Sequence, residues 1–448
     1  MVKEASFYKL LLKLALPIAL QSVISLGVVM LDNIMVGVLG DTALSAVAQA
    51  NQVTVFFTFF IRGVSGGASI LISQYWGKKD MERIKSVYAI IMQICIVVSS
   101  GVLLFVFFYP KLTMSIFTNE TLLIDEARVY LTTVCFSFVL YAISETLAAM
   151  LRCVEIVKLT LYVSIISLFT NLFFNYAFIL GNFGFPALGI KGAAIATVIA
   201  RAVELTIVLI YFFLVQKRVD MKVKDMFRFD KLMWIDFIKY GLPILIGDIQ
   251  WGLVGVFKAI IIGRLGIQMI AANSITETMM SLGMIFCSGL ATAACVIVGK
   301  EVGVKKYDRA RQYSNTIQIV FVGVGILMGL MLFLSRGMFV NLYSVIPETK
   351  ALAMQLLAIG SVTLIGSSYH VACFTGINRG AGDSHFVFKV DMICGWLIIL
   401  PLSALAAFVF KFPMPIIFLC TKIDQCFKWI IALIRLKGIK WIHNIVRE

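Results

Sequence analysis

Stretches of about 20 apolar residues recur from one end of the chain to the other, each followed by a short segment where Gly, Lys, Arg and Asp gather. Twelve such stretches are read, at about 14–37, 44–74, 87–109, 129–150, 159–180, 192–214, 235–263, 268–298, 313–334, 351–374, 386–409 and 413–434. A run of this length crosses the hydrocarbon core of a bilayer as an α-helix, whereas a barrel strand needs only about 10 residues with alternating polarity. The pattern therefore predicts an all-α integral membrane protein with twelve transmembrane helices.

The pattern also repeats. Residues 14–86 lie on residues 240–312 at a constant shift of 226 without a gap, and 15 of the 73 pairs are identical. Among them are Leu16/Leu242, Pro17/Pro243, Gly37/Gly263, Gly40/Gly266, Gly63/Gly289, Gly77/Gly303 and Arg83/Arg309, residues that set backbone shape and loop charge. The chain thus reads as a six-helix bundle over 1–215, a basic linker over 216–234, a second six-helix bundle over 235–434 and a basic tail over 435–448. Each half has an even number of spans, so the halves are expected to be parallel repeats about an axis along the membrane normal, enclosing a substrate path. Pro17, Pro243 and Pro401 are expected to kink their helices.

Composition agrees with this picture. Hydrophobic residues make up 60% and charged residues 14%, against about 25% charged in soluble domains. The net charge of +15 does not point to nucleic acid, because the cations are segregated. Loops on one side, from Lys3 to the residues after Lys428, hold 28 Lys and Arg, and the opposite loops hold 6. That asymmetry predicts both termini in the cytoplasm of a plasma (inner) membrane protein. The linker is expected to be a solvated, headgroup-facing connector. The tail is expected to be an interfacial amphipathic segment with Trp441 at headgroup level. The first run is not a signal peptide, because its copy is internal. Nine cysteines without a CxxC motif give no case for a disulfide or a metal site.

No P-loop, HExxH, GxSxG or His/Cys cluster occurs, so an enzyme is not expected. The candidates are instead polar residues inside apolar runs, where a charge costs at least about 2.5–3.5 kcal/mol and faces a cavity or a partner. Asp32 in the first copy is matched by Lys258 in the second, and Asn51 by Glu277. Asp32 can bind Na⁺, take up a proton or attract an organic cation; alternatively it forms a structural ion pair with Lys258. Asn171 and Asn175 are four apart and share a helix face, as ion or substrate ligands or as interhelical glue. Gln52, Asp248 and His370 complete the candidates for a substrate cavity with Asn51, Lys258 and Glu277. Arg201 and Glu204 are expected to pair with each other, and Arg62 with Glu145.

These residues lead to a family. The segments LALPIALQSVISLGVVMLDNIMVGVLG, GGASILISQYWGKKD and NLFFNYAFILGNFGFPALGIKGAAIATVIAR, with YGLPIL, IIGRLG and VIVGKEVG in the second half, resemble the multidrug and toxic compound extrusion (MATE) family over nearly the whole chain. The resemblance implies a V-shaped, twelve-helix antiporter, acting as a monomer, that exports amphipathic or cationic organic compounds against inward Na⁺ or H⁺ flow. It implies that Asp32 is the coupling acid of helix 1. Relatives often place a second acid on helix 5; here that position is Asn175, while Asn171 stays and Thr197 on helix 6 offers a hydroxyl. The helix 7 acid of some relatives has Asp248 as its nearest substitute. A lipid-linked precursor flippase of the same wider superfamily is the alternative reading, disfavoured by twelve spans and few central cations.

Overall fold

The computed structural model describes every residue except 1, 3, 118–119, 344, 439 and 448; Lys3, one of the cations counted above, lies outside it. Among the described residues eleven helices are long and apolar enough to cross a membrane. They are α1 (Ala5–Gly37), α2 (Thr42–Lys78), α3 (Met81–Phe108), α4 (Phe136–Cys153), α5 (Lys158–Leu180), α6 (Ile190–Val215), α7 (Lys231–Gly263), α8 (Ile267–Gly303), α9 (Tyr307–Asn341), α10 (Pro347–Asn378) and α11 (Ser384–Val409). The twelfth apolar run is also helical but broken, into α12 (Met414–Thr421) and α13 (Asp424–Lys437), with Lys422 and Ile423 between them. The fourth run begins inside a separate short helix, Thr121–Val134, which ends at Cys135 where α4 starts.

Local chemistry accounts for the boundaries. Asp80 caps α3 by accepting from the Arg83 N–H at 3.2 Å, and Asp230 caps α7 by accepting from Leu232 and Met233. Pro17 is carried inside α1 without ending it. Pro401 sits between two π-helical stretches of α11, Ile393–Ile399 and Leu405–Val409, where the wider turn absorbs the hydrogen bond that proline cannot make.

The chain forms two compact units that do not follow the repeat: residues 1–19, 69–79 and 239–448 make one, residues 20–68 and 80–238 the other. The boundary cuts through α1 and α2. In the second unit, α5 and α6 approach closely because Gly192 leaves room for the Phe178 backbone carbonyl, which a Cβ there would strike. Ala193, Ala194, Ala196 and Ala200 continue this thin buried face. The contact sets Asn171 and Asn175 on α5 beside Thr197 and Arg201 on α6.

One expectation about the loops is corrected. The linker is exposed at most positions, its Lys217, Lys222, Lys224 and Lys231 among them, and is pinned at a few: Val219 and Met221 are buried, Arg218 donates to the Val154 carbonyl at 2.7 Å, and Arg228 pairs with Glu82 at 2.7 Å. Trp441 does not stand at a headgroup surface: it is 0% exposed, and residues 442–447, outside any helix, are hydrogen-bonded to helix ends. The partners are the side-chain amide of Gln74 and the carbonyls of Val302 and Ala381, which the hydrophobic pattern does not display.

Candidate functional site

Asp32 lies on α1, partly buried, in the second unit. Its Oδ1 accepts a hydrogen bond from Asn175 Nδ2 at 2.5 Å. The same Nδ2 donates to Asn171 Oδ1 at 3.1 Å, so the i,i+4 pair acts as one surface, as the helical period requires. Both asparagines are buried, at 3% and 1% exposure. Among the described residues Asn175 Oδ1, which is buried, has no hydrogen-bond partner.

Around this pair stand further neutral oxygens. Tyr130, from the short helix before α4, donates its hydroxyl to Asn51 Oδ1 on α2 at 3.3 Å; the same hydroxyl reaches the Thr197 side chain on α6 and feels the charge of Asp32. Thr197 also donates to the Ala193 carbonyl at 3.0 Å, which leaves its oxygen lone pairs available. Four candidate residues from the sequence, Asn51, Asn171, Asn175 and Thr197, are thus gathered near Asp32. Tyr130 is the member that sequence reading missed. Gln52, next to Asn51, is exposed.

One helical turn along α6 the chemistry changes from neutral to charged. Arg201, four residues after Thr197, is the cation that acts on Asp32. It pairs with Glu204 at 2.6 Å, as expected from their spacing, and its guanidinium lies 4.9 Å from the centre of the Tyr141 ring. Glu145 binds Arg152 at 2.6 Å, and the Arg62 guanidinium acts on Glu145 as well and neighbours Tyr141. Ser144 donates to Glu204 at 3.3 Å. This network holds three guanidiniums, of Arg62, Arg152 and Arg201, against the two carboxylates of Glu145 and Glu204. Ionised Asp32 supplies the third negative charge.

The remaining candidates belong to the other unit. Lys428 is 0% exposed; it lies 3.0 Å from Asp391 and 3.3 Å from Asp424, with its ammonium 4.2 Å from the centre of a Trp251 ring. Lys422 pairs with Glu277 at 2.7 Å. Lys258 is half-buried beside these groups: the charges acting on it come from Lys422, Glu277, Asp424 and Lys428. His370 faces the same set, namely Lys428, Asp424 and Asp391. Asp248 is engaged by Arg379 at 2.6 Å. Lys428, in the twelfth apolar run, and Arg379, just past the end of α10, are therefore members of a buried and a half-buried ion pair. Charges inside the twelfth apolar run were the available signal, and their place near the chain end disguised it.

The MatE family profile matches this chain twice, over residues 17–177 and 243–405, so the two matches begin at Pro17 and Pro243, one repeat shift apart. The chain belongs to the MatE family. It is similar to the uncharacterized transporter YisQ of Bacillus subtilis, at 25% identity over 92% of this chain and 90% of that protein. It is also similar to the probable multidrug resistance protein NorM of Halalkalibacterium halodurans, at 26% over 89% and 87%, and to the multidrug resistance protein NorM of Vibrio parahaemolyticus, at 25% over 87% and 86%. Among solved structures, the Vibrio cholerae MATE transporter VcmN in its bent form superposes with a TM-score of 0.87 at 16% identity, covering 98% of this chain and 99% of that one. The eukaryotic MATE transporter AtDTX14 gives 0.83 at 21%, covering 97% and 96%. This MatE chain is accordingly a multi-pass membrane transporter with the MATE fold.

Proposed function

We propose that this MatE chain is a secondary antiporter that exports amphipathic, cationic organic compounds in exchange for Na⁺ or H⁺ taken up at Asp32. The observation that carries the reading is the Asp32 carboxylate set among neutral oxygens of Asn171, Asn175, Tyr130 and Thr197, with Asn175 Oδ1 left unpartnered. A single negative charge ringed by amide and hydroxyl oxygens suits a hard monovalent cation or a proton. Binding of either removes the charge that balances Arg62, Arg152 and Arg201, so loading of Asp32 changes the electrostatics of the whole network. Cation uptake and export then compete, each favouring a different arrangement of the helices.

The cation-rich helix ends face the cytoplasm in this reading, and the chain works as a monomer among membrane lipids. The multidrug resistance relatives NorM support the substrate class. The flippase alternative needs free cations to hold phosphates; Lys422 and Lys428 are each neutralised by carboxylates, which speaks against it.

The test is efflux of a fluorescent organic cation from vesicles with an imposed Na⁺ or pH gradient. Wild type is expected to export under one of the two gradients, and Asp32→Asn to lose at least about tenfold of the gradient-driven rate. Full retention of coupling in Asp32→Asn removes this site from the mechanism.

A further inference from the structure

The C-terminal segment 441–447 is threaded into a slot formed by three chain segments of one compact unit. Gln74, 0% exposed near the end of α2, uses both ends of its amide on this segment. Its Nε2 donates to the His443 carbonyl at 3.1 Å, and its Oε1 accepts from the Ile445 N–H at 3.0 Å. On the opposite wall, Asn444 Nδ2 donates to the Val302 carbonyl in the last turn of α8 at 2.9 Å, while its Oδ1 accepts from the Val446 N–H at 2.9 Å. The His443 N–H donates to the Ala381 carbonyl at 2.9 Å, in the turn between α10 and α11. Lys78 Nζ closes the end by donating to the Arg447 carbonyl at 2.7 Å. Behind the segment, Arg435 grips Asp383 of the same turn with two bonds of 2.8 and 3.0 Å.

Most of these bonds read the backbone of the segment, as in recognition of an added strand, so they fix its register. The slot also lies where the two copies of the repeat cross. A Cβ at Gly77 would strike the carbonyl of Lys300, and one at Gly303 the carbonyl of Gln74. The segment spans that crossing, because Gln74 belongs to α2 and Val302 to α8. Any motion that parts these two helix ends must first strip the segment from one of them.

We propose that the slot is a binding site for the chain's own segment 441–447, and that this segment is a latch. Seated, it holds the ends of α2, α8 and the α10–α11 turn together; released, it lets the basic side of the protein open. The transport role of the latch rests on the alternating-access reading above, whereas its occupancy does not.

Hydrogen exchange read by mass spectrometry on the full chain in nanodiscs separates the two. In Gln74→Ala and in Asn444→Ala, exchange at 441–447 and at the helix ends 70–79 and 297–304 is expected to rise together by about tenfold. Faster exchange in the segment with unchanged helix ends overturns the latch. A second measurement does not depend on those variants folding well. Lys78→Cys with Arg447→Cys, joined by a short bis-thiol linker, is expected to export at least about tenfold more slowly than the unlinked double variant. Export at the unlinked rate overturns the latch. Should wild type export nothing under either gradient, the antiport reading fails and the exchange result still decides the latch.

Discussion

Gly77 lies against the backbone carbonyl of Lys300, and 226 residues further on Gly303 lies against the carbonyl of Gln74. The contact and its copy are exchanged by the same shift that relates the halves in sequence, so a local two-fold relation passes between α2 and α8. Both Gly77→Ala and Gly303→Ala force backbone apart from backbone. Each is expected to destabilise the protein by about 1–3 kcal/mol, and by similar amounts because the two environments correspond. Thermal unfolding in detergent measures this; a variant that melts with wild type shows that the helices do not approach so closely.

Asn175 donates its side-chain amide to Asp32. Asn175→Asp places a second carboxylate beside Asp32, and two like charges sharing a site favour cation or proton uptake. Gradient-driven efflux in this variant is expected to half-saturate at a coupling-ion concentration lower by about tenfold. Half-saturation unchanged or shifted upward contradicts the geometry, since Asn175 Nδ2 is bonded to Asp32 itself.

Asn51 and Gln52 are neighbours in sequence with opposite placements. Asn51 accepts from Tyr130, and Gln52 is exposed. Tyr130→Phe removes one hydrogen bond, worth about 1 kcal/mol, and is expected to change coupling-ion affinity several-fold while the fold persists. Gln52→Ala is expected to leave that affinity at the wild-type value. Ion titration of transport in the two variants side by side decides whether Tyr130 belongs to the site.

Lys428→Met leaves Asp391 and Asp424 buried without their cation. Loss of one side of a buried ion pair costs about 3–5 kcal/mol, so a marked fall in melting temperature and in yield of folded protein is expected. Adding Asp391→Asn and Asp424→Asn to Lys428→Met should restore much of the loss. Failure of the triple variant to recover locates the role of Lys428 outside this charge set.

The hydrophobic pattern made the long helices and the duplication legible, because exclusion of charge from a bilayer acts on sequence directly. It also placed Asn171 with Asn175, and Arg201 with Glu204, since a helical period settles which neighbours share a face. What it left hidden are contacts between helices distant in the chain. Tyr130 is one aromatic among many until the helix Thr121–Val134 brings it to Asn51. Arg62 of α2 acts on Glu145 of α4, which is also bonded by Arg152 of its own helix. Trp441 reads as a headgroup anchor in the sequence, whereas the buried amide of Gln74 and the carbonyls of Val302 and Ala381 hold the tail inward.

The order in which the chain is made gives the broken last span a further meaning. Lys422 and Lys428 sit in an apolar run that cannot enter a membrane cheaply alone, since each mid-membrane charge costs at least about 2.5 kcal/mol. Their acidic partners Glu277 and Asp391 lie on α8 and α11, which leave the ribosome earlier. Until α12 and α13 arrive, that half of the transporter is short of two cations. The pair α12 and α13 is thus drawn in by helices already in place, by charge as much as by hydrophobicity.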